Sequence, residues 1–464
     1  MKNSDASPAI NSTNATKAIG RDRASVSDIR AIYGRSAALD LEFRNPVVFI
    51  PGILGSRLVG ETAEGAVWGD FGRSYADAKD AQTRRLIALP MSTGLTLDKL
   101  LSPSLADGTV RQANLRHLPI KVNAYRDILN SVGVGMRTTA LDKQPGYAGG
   151  GMFRSFEFGY DWRRSLDETA RELDDYLRLA SHVVQALKGS SEPVKFDVVA
   201  HSMGGLVLRY YLRYGRQLLP TDGSLPRLTW AGCERVQKAI IIGTPNGGSV
   251  MALDRLVGGL AAKRLVHPGY DTAIIGTMPA LYQLLPRSRS SPFIAPSGKG
   301  DVNIFDTDHW LMMQWGLADP KIDELLAIQL PGIASSQERR EVAVDHLRKC
   351  LQSAKTLHQS LDLPAQPPTG VEGHLIAGDA IPTCAAVTGE IGAGKVEAVR
   401  FEAGDGTVLR SSALLDERTD QDWQPRVNTP IDWKSVIFAS SNHMSLTQDR
   451  VVVNNVLYRL LEAQ

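Results

Sequence analysis

Cysteine is scarce in this chain, with three in 464 residues. Cys233, Cys350 and Cys384 are far apart and form no CxxC pair. Neither a disulfide framework nor a thiolate metal site is therefore expected, and a reducing compartment fits best. No histidine or carboxylate cluster has the spacing of zinc ligands, so no metal and no cofactor is expected. Long apolar runs are missing too. No stretch approaches the roughly 18 apolar residues of a membrane-spanning helix, so any membrane contact would be peripheral. An excess of one charge is also absent: 52 Lys and Arg stand against 50 Asp and Glu, a formal charge of +2. That balance supplies no concentrated basic face, and nucleic acid is not an expected partner. Residues 1–25 lack the apolar segment of a secretory signal and read as a disordered leader rich in Ser, Asn, Thr and Ala. A cytoplasmic location follows as an expectation, and the sequons at Asn11 and Asn14 then carry no meaning.

What remains is an ordinary globular composition, 43% hydrophobic and 22% charged, in a chain long enough for one elaborated domain or two to three smaller ones. NPVVFIPG at 45–52 reads as a buried strand breaking into a loop. Residues 57–121 read as an irregular excursion with small helices, and Met152–Phe158 as a strand. Ser165–Leu187 is the clearest helix. Leu166, Ala170, Leu173, Leu177, Ala180, Val184 and Leu187 fall on one stripe, and Ser165 with Glu168 has the form of a capping box. Val194–Ala200 and Val236–Ile242 are apolar strands, with a helix over Met203–Tyr214 between them. Recurring strand, turn and helix predict an α/β fold, a mostly parallel central sheet with helices on both faces.

The expected organisation is a first core segment over 26–250, a mainly helical cap or lid over 251–370 and a second core segment over 371–464. A long amphipathic helix is expected over Ser335–Leu361. Strands are expected at Gly373–Ala377, Val396–Phe401 and Lys434–Ala439, and a final helix at Thr447–Leu461.

FDVVAHSMGG, Phe196–Gly205, carries the chemistry. A serine between small residues, where a buried strand meets a helix, is the pattern of a nucleophile elbow. The tight turn requires small residues two before and two after Ser202; these are Ala200 and Gly204. A serine needs a base at neutral pH, and in this kind of site the order is Ser, acid, His. Of the downstream histidines, His267, His309, His346 and His358 fall in the cap, and His374 lies inside a strand. His443 follows a strand and precedes the last helix, where a loop-borne base belongs. For the acid, Asp405 in GDGTV and Asp379 after the strand ending at Ala377 are even on position. Asp161 in YDWR reads as a structural partner of Arg163 or Arg164. Oxyanion donors are expected at the Met203 amide and, from the loop IPGILGS, at Ile53 or Leu54. GEIGAGKV at 389–396 nearly matches a phosphate loop, but Val396 stands where the required Ser or Thr would be. It reads as a glycine-rich hairpin, and no nucleotide is expected.

Several of these pieces together resemble the lecithin:cholesterol acyltransferase-like α/β-hydrolases, which include phospholipid and sterol acyltransferases and lysosomal-phospholipase-like enzymes. They are IPGILGS (50–56), YDWR (160–163), AHSMGG (200–205), GTPNGGS (243–249), PALYQLLP (279–286), GDGTV (404–408) and NHMSL around His443. The resemblance implies an α/β-hydrolase fold with a mobile lid, Asp405 as the acid and Ile53 as an oxyanion amide. It also implies acyl transfer from, or hydrolysis of, a phospholipid or other lipid ester. The segment before Asp405 is longer than the family pattern, and residues 57–121 and the cap match it loosely. Trp68, Phe71 and Tyr75, or Trp310, Met312, Met313 and Trp315, are candidates for touching a lipid surface; burial against the core is the alternative for each.

Overall fold

Val47–Ile50 is a run of four apolar residues with no solvent exposure, the composition of a strand covered on both faces. In the computed structural model it is an inner strand of the central sheet, next to the edge strand. The structure describes residues 44–60, 66–69, 80–110, 112–114, 121–123, 125–133, 154–261, 269–295, 302–418 and 427–461. The described strands are, in chain order, β1 (Val47–Ile50), β2 (Ser56–Gly60), β3 (Ala66–Trp68), β4 (Ser104–Thr109), β5 (Gln112–Asn114), β6 (Lys121–Asn123) and β7 (Ser155–Glu157). They continue with β8 (Phe196–His201), β9 (Val236–Ile242), β10 (Glu372–Gly378), β11 (Ile381–Thr388), β12 (Glu397–Gly404) and β13 (Trp433–Ala439).

Six of them form the central sheet in the order β13-β10-β9-β8-β1-β7, and every pairing in it is parallel. Alternation along the strands divides the interior into two cores. Val48, Ile50, Val198, Ala200, Ala239, Ile241, Leu375 and Ala377 face one side, and Val47, Phe49, Val199, Ile240, Ile242 and Ile376 face the other. The first core is closed by α1 (Leu166–Lys188) and α2 (Met203–Tyr214). The second is closed by a short helix at Arg126–Ser131 and by the C-terminal helix Arg450–Leu461. Each fully buried Val, Ile or Leu contributes about 1.5–3 kcal/mol.

Between β9 and β10 the described residues contain helices and no strand. The longest helix is Ser336–Asp362, and Ser335 caps it by accepting from the Glu338 amide at 3.3 Å.

Three expectations need correction, and one alternative left open is decided. Residues 57–121 are not simply irregular, because β2 pairs antiparallel with β3 and β4, and β5 with β6. β4 reads SLADGT, too polar to announce itself as a strand. The capping box at Ser165 does not form: its hydroxyl bonds Asp167 and accepts from Gln283, and Glu168 pairs with Arg164. Ile381–Thr388 is a further strand beyond those expected, and it pairs with β12 to make the hairpin around Gly389. Trp68, Trp310, Met313 and Trp315 are buried in the first core, which leaves Met312 as the exposed member among the described candidates. Phe71 and Tyr75 lie outside the described residues.

Candidate active site

The chain leaves β1 toward β7 on one side and returns as β8 on the other. Connections diverging from neighbouring strands open a crevice at their carboxyl ends, where parallel sheets place their ligand sites. Ile50 is paired with Ala200, so the loop Pro51–Gly55 and the residue Ser202 emerge side by side. A Cβ on Gly52 would lie 2.7 Å from the Ser202 Cβ and 3.3 Å from its Oγ, so glycine is what allows this approach.

Ser202 sits at φ 53°, ψ −127°, a strained conformation for a residue with a side chain. The surroundings hold it there. Its amide donates to Ile242 O at 2.8 Å, and its carbonyl accepts from Gly205 N at 3.0 Å and Thr244 Oγ1 at 2.8 Å. The two following glycines are required by space. A Cβ on Gly204 would meet Pro51 O at 2.5 Å and Ile50 O at 2.8 Å, and one on Gly205 would strike the Thr244 side chain.

His443 Nε2 lies 2.9 Å from Ser202 Oγ, and His443 Nδ1 lies 2.7 Å from Asp405 Oδ2. The other carboxylate oxygen of Asp405 accepts from the amides of Thr407 at 2.9 Å and Val408 at 2.7 Å. Asp405 is 1% exposed, so its charge is held by these donors in place of water. The His443 amide donates to Asp405 O at 2.9 Å, which joins the two loops through their backbones as well. Gly243, at φ 57°, leaves room beside the pair: a Cβ there would be 3.4 Å from both Asp405 Oδ2 and His443 Nδ1.

The competition between Asp405 and Asp379 has a topological explanation. After β10 the chain departs into β11, turns, and comes back along β12, with Ile381 paired to Gly404 and bridged to Asp405. An antiparallel excursion ends where it began, so Asp405 reaches the end of β10, against Gly378. Asp379 makes a backbone bond to Ala439 there, and no side-chain bond to it is found among the described residues.

The remaining histidines are spoken for elsewhere. His346 and His358 are buried with Nε2 on Thr277 O and Gln283 O, His374 bonds Ser435 and His309 bonds the Asn303 backbone. His267 lies outside the described residues. Asp161 pairs with Arg163 at 2.7 Å, and Arg163 also binds Ser104 Oγ and the carbonyls of Leu86 and Ile87. GEIGAGKV joins two antiparallel strands, so no helix N-terminus follows it to receive a phosphate.

The Gly52 amide is taken by Tyr125 Oη at 3.0 Å. The amides of Ile53 and Met203, on either side of Ser202, make no hydrogen bond to another described residue. Three nearby residues were not anticipated from the sequence. Tyr160 of YDWR donates to Pro51 O at 2.9 Å, and Tyr125 and His201 are 2.9 Å apart. The histidine directly before Ser202 in the sequence was the available signal for the last of these.

The all-parallel sheet, with an elbow serine where its crossovers diverge, makes the fold that of an α/β-hydrolase. Residues 144–311 match the family model of lecithin:cholesterol acyltransferase. The structure solved as the Tle4–Tli4 complex contains a similar chain, with 14% identity and a TM-score of 0.57, over 90% of this chain and 98% of that one. At that identity the likeness is one of fold. EstA from Clostridium botulinum aligns at 12% identity over 90% of this chain and 86% of its own, with a TM-score of 0.31. A gene product of Listeria innocua aligns at 13% over 91% and 95%, with a TM-score of 0.28. No curated protein sequence matches the chain. The family match and the fold together support an enzyme of the esterase or lipase type. Among the described residues no helix is long and apolar enough to cross a membrane.

Proposed function

We propose that the chain is a serine-dependent lipid O-acyltransferase or phospholipase that works through an acyl-enzyme. The observation that carries this reading is the hydrogen-bonded row Ser202–His443–Asp405. Ser202 Oγ attacks the ester carbonyl while His443 Nε2 takes its proton. The carbonyl oxygen becomes an oxyanion, stabilised by the amides of Ile53 and Met203 and by the N-terminus of α2. The tetrahedral centre collapses, the alcohol leaves with the proton from His443, and the acyl group stays on Ser202. His443 then deprotonates water, giving a free acid, or a lipid hydroxyl, giving a new ester. Asp405 accepts from Nδ1–H throughout, which fixes the tautomer and balances the imidazolium charge. The helical segment between β9 and β10 serves as the lid over this site.

A second reading, an esterase for soluble esters with the same three residues, is favoured by the burial of Trp68, Trp310 and Trp315. The test has two stages. A fluorophosphonate probe should label the wild type and not Ser202→Ala; absence of serine-dependent labelling, with or without lipid, defeats the enzyme reading. Turnover of phospholipid vesicles is then compared with that of a short soluble ester. Turnover of the short ester alone selects the second reading.

A further inference from the structure

His201 has no solvent exposure and no part in the steps above, yet both of its ring nitrogens are engaged across loops. Nε2 is 3.1 Å from the backbone oxygen of His443, and Nδ1 is 2.9 Å from Tyr125 Oη. Tyr125 Oη is 3.0 Å from the Gly52 amide nitrogen. The neighbours assign every proton in this row. A carbonyl can only accept, so Nε2 bears the hydrogen. Burial, with His443 beside it, holds the His201 ring well below the usual imidazole range and therefore neutral. Nδ1 is then bare and accepts from the tyrosine O–H. An amide N–H can only donate, so the tyrosine oxygen accepts from Gly52. The row runs in one direction, from Gly52 N–H through Tyr125 and His201 to the carbonyl of His443.

We infer that His201 and Tyr125 are positioning residues that tie the oxyanion loop after β1 to the base-bearing loop after β13. The inference rests on the serine-enzyme reading, and it explains how two loops that never meet in sequence stay aligned on either side of one nucleophile. The His443 loop is otherwise held by Asp405, and the turn Gly52–Gly55 closes on itself through Gly55 N to Gly52 O at 3.0 Å. Neither contact relates one loop to the other. The tie does, and its upper end is the amide directly before Ile53. A buried histidine that merely packs would not need one nitrogen on the His443 backbone and the other on the tyrosine that holds the Gly52 amide. Misplacement of reacting groups by about 1 Å can cost around 100-fold in rate, so the tie acts where small displacements matter most.

The test separates positioning from packing. Tyr125→Phe keeps the ring that lies 5.2 Å from Phe49 and 5.4 Å from His201, centroid to centroid, and removes only the hydroxyl. His201→Gln retains a donor for the His443 carbonyl, whereas His201→Leu retains none. For each variant, kcat and KM on a short p-nitrophenyl ester are measured with the Ki of a trifluoromethyl ketone, which forms a charged tetrahedral adduct on the serine. Tyr125→Phe should lower kcat about 10- to 100-fold with KM within about 3-fold, and raise Ki by a similar factor to the loss in kcat. His201→Gln should keep at least about ten times the kcat of His201→Leu. Unchanged kcat and Ki in Tyr125→Phe, or equal activity of the Gln and Leu variants, overturns the tie. Should Tyr125→Phe fail to fold, the comparison of His201→Gln with wild type, in Ki against KM, decides. A wild type that reacts with neither ester nor ketone removes the serine-enzyme reading and the tie with it. A reactive wild type with an indifferent Tyr125→Phe removes the tie alone.

Discussion

His443 Nε2 stands 2.9 Å from Ser202 Oγ across 241 residues of chain. The strands that deliver them, β8 and β13, are not neighbours: β9 and β10 lie between. The contact is therefore made by loops that lean over the carboxyl end of the sheet. A proton can pass from serine to imidazole with no rearrangement, which is the geometric requirement for a general base.

Ser202→Ala and His443→Ala should each lower kcat/KM on a short ester by about 10⁴-fold or more, and the double variant should be little worse than either. Asp405→Asn should cost about 10³- to 10⁴-fold, because the amide can hold the wrong imidazole tautomer. Asp379→Asn should stay within about 2-fold of wild type, since that side chain has no place in the row. Comparable losses at 379 and 405 would refute the assignment of the acid.

The central sheet and the elbow were readable in the sequence because they obey local rules. Ala239–Ile242 is a continuous apolar run, and α2 begins at the residue directly after the motif serine. Residues whose roles depend on distant partners were not readable. Asp379 and Asp405 looked equal because a hairpin returns the chain to its starting point, and one sequence does not show that return. Ser165 and Glu168 have the spacing of a capping box, but Gln283, over a hundred residues later, competes for the hydroxyl. Tyr125 and His201 gain their meaning from each other and from Gly52. Trp310 and Trp315 are buried against one another in an edge-to-face pair 5.6 Å apart, and composition alone does not distinguish that from an exposed surface.

Gly52→Ala should disable the enzyme while leaving it folded. The new methyl would lie 2.7 Å from Ser202 Cβ and 3.3 Å from the His201 carbonyl, so the loop must retreat from Ser202. A fall in kcat of about 100-fold is expected, with little change in melting temperature. Gly204→Ala differs in kind. Its methyl would meet two backbone carbonyls at 2.5 and 2.8 Å, which cannot yield without moving β1, and a loss of about 1–3 kcal/mol in stability is expected. Denaturant unfolding and ester turnover measured on both variants would check the contrast.

Asp362 closes the long helix Ser336–Asp362 with a two-pronged pair to Arg287, Nε to Oδ2 at 2.9 Å and Nη2 to Oδ1 at 3.0 Å. Arg287 also donates to Asn246 O at 2.9 Å, which links this helix to the loop after β9. Asp362→Asn would leave the buried guanidinium without its counter-charge, and breaking such a pair costs about 3–5 kcal/mol. Replacing both partners with apolar residues should recover part of that loss. A double-mutant cycle in chemical denaturation measures it, and additive effects would show that the pair contributes nothing of its own.

Glu168 gives the chain a pH-dependent liability near neutrality. Burial raises its carboxyl to about 7 from an ordinary 4.5, against the opposing pull of Arg164, and Asp167 beside it adds to the rise. The sign follows from proton binding. Between those two values the native chain holds a proton that the unfolded chain has released, so this group's stabilisation is complete below about 4.5 and is lost as pH climbs through about 7. Glu168→Gln mimics the protonated form at every pH. The melting temperature of the variant relative to wild type should therefore rise between pH 5 and pH 8. Asp167 and Glu172 are shifted in the same direction by burial, so the wild-type slope should be reduced in the variant and not abolished. A difference between variant and wild type that stays constant over this range would mean that Glu168 is already ionised in the native chain at pH 5.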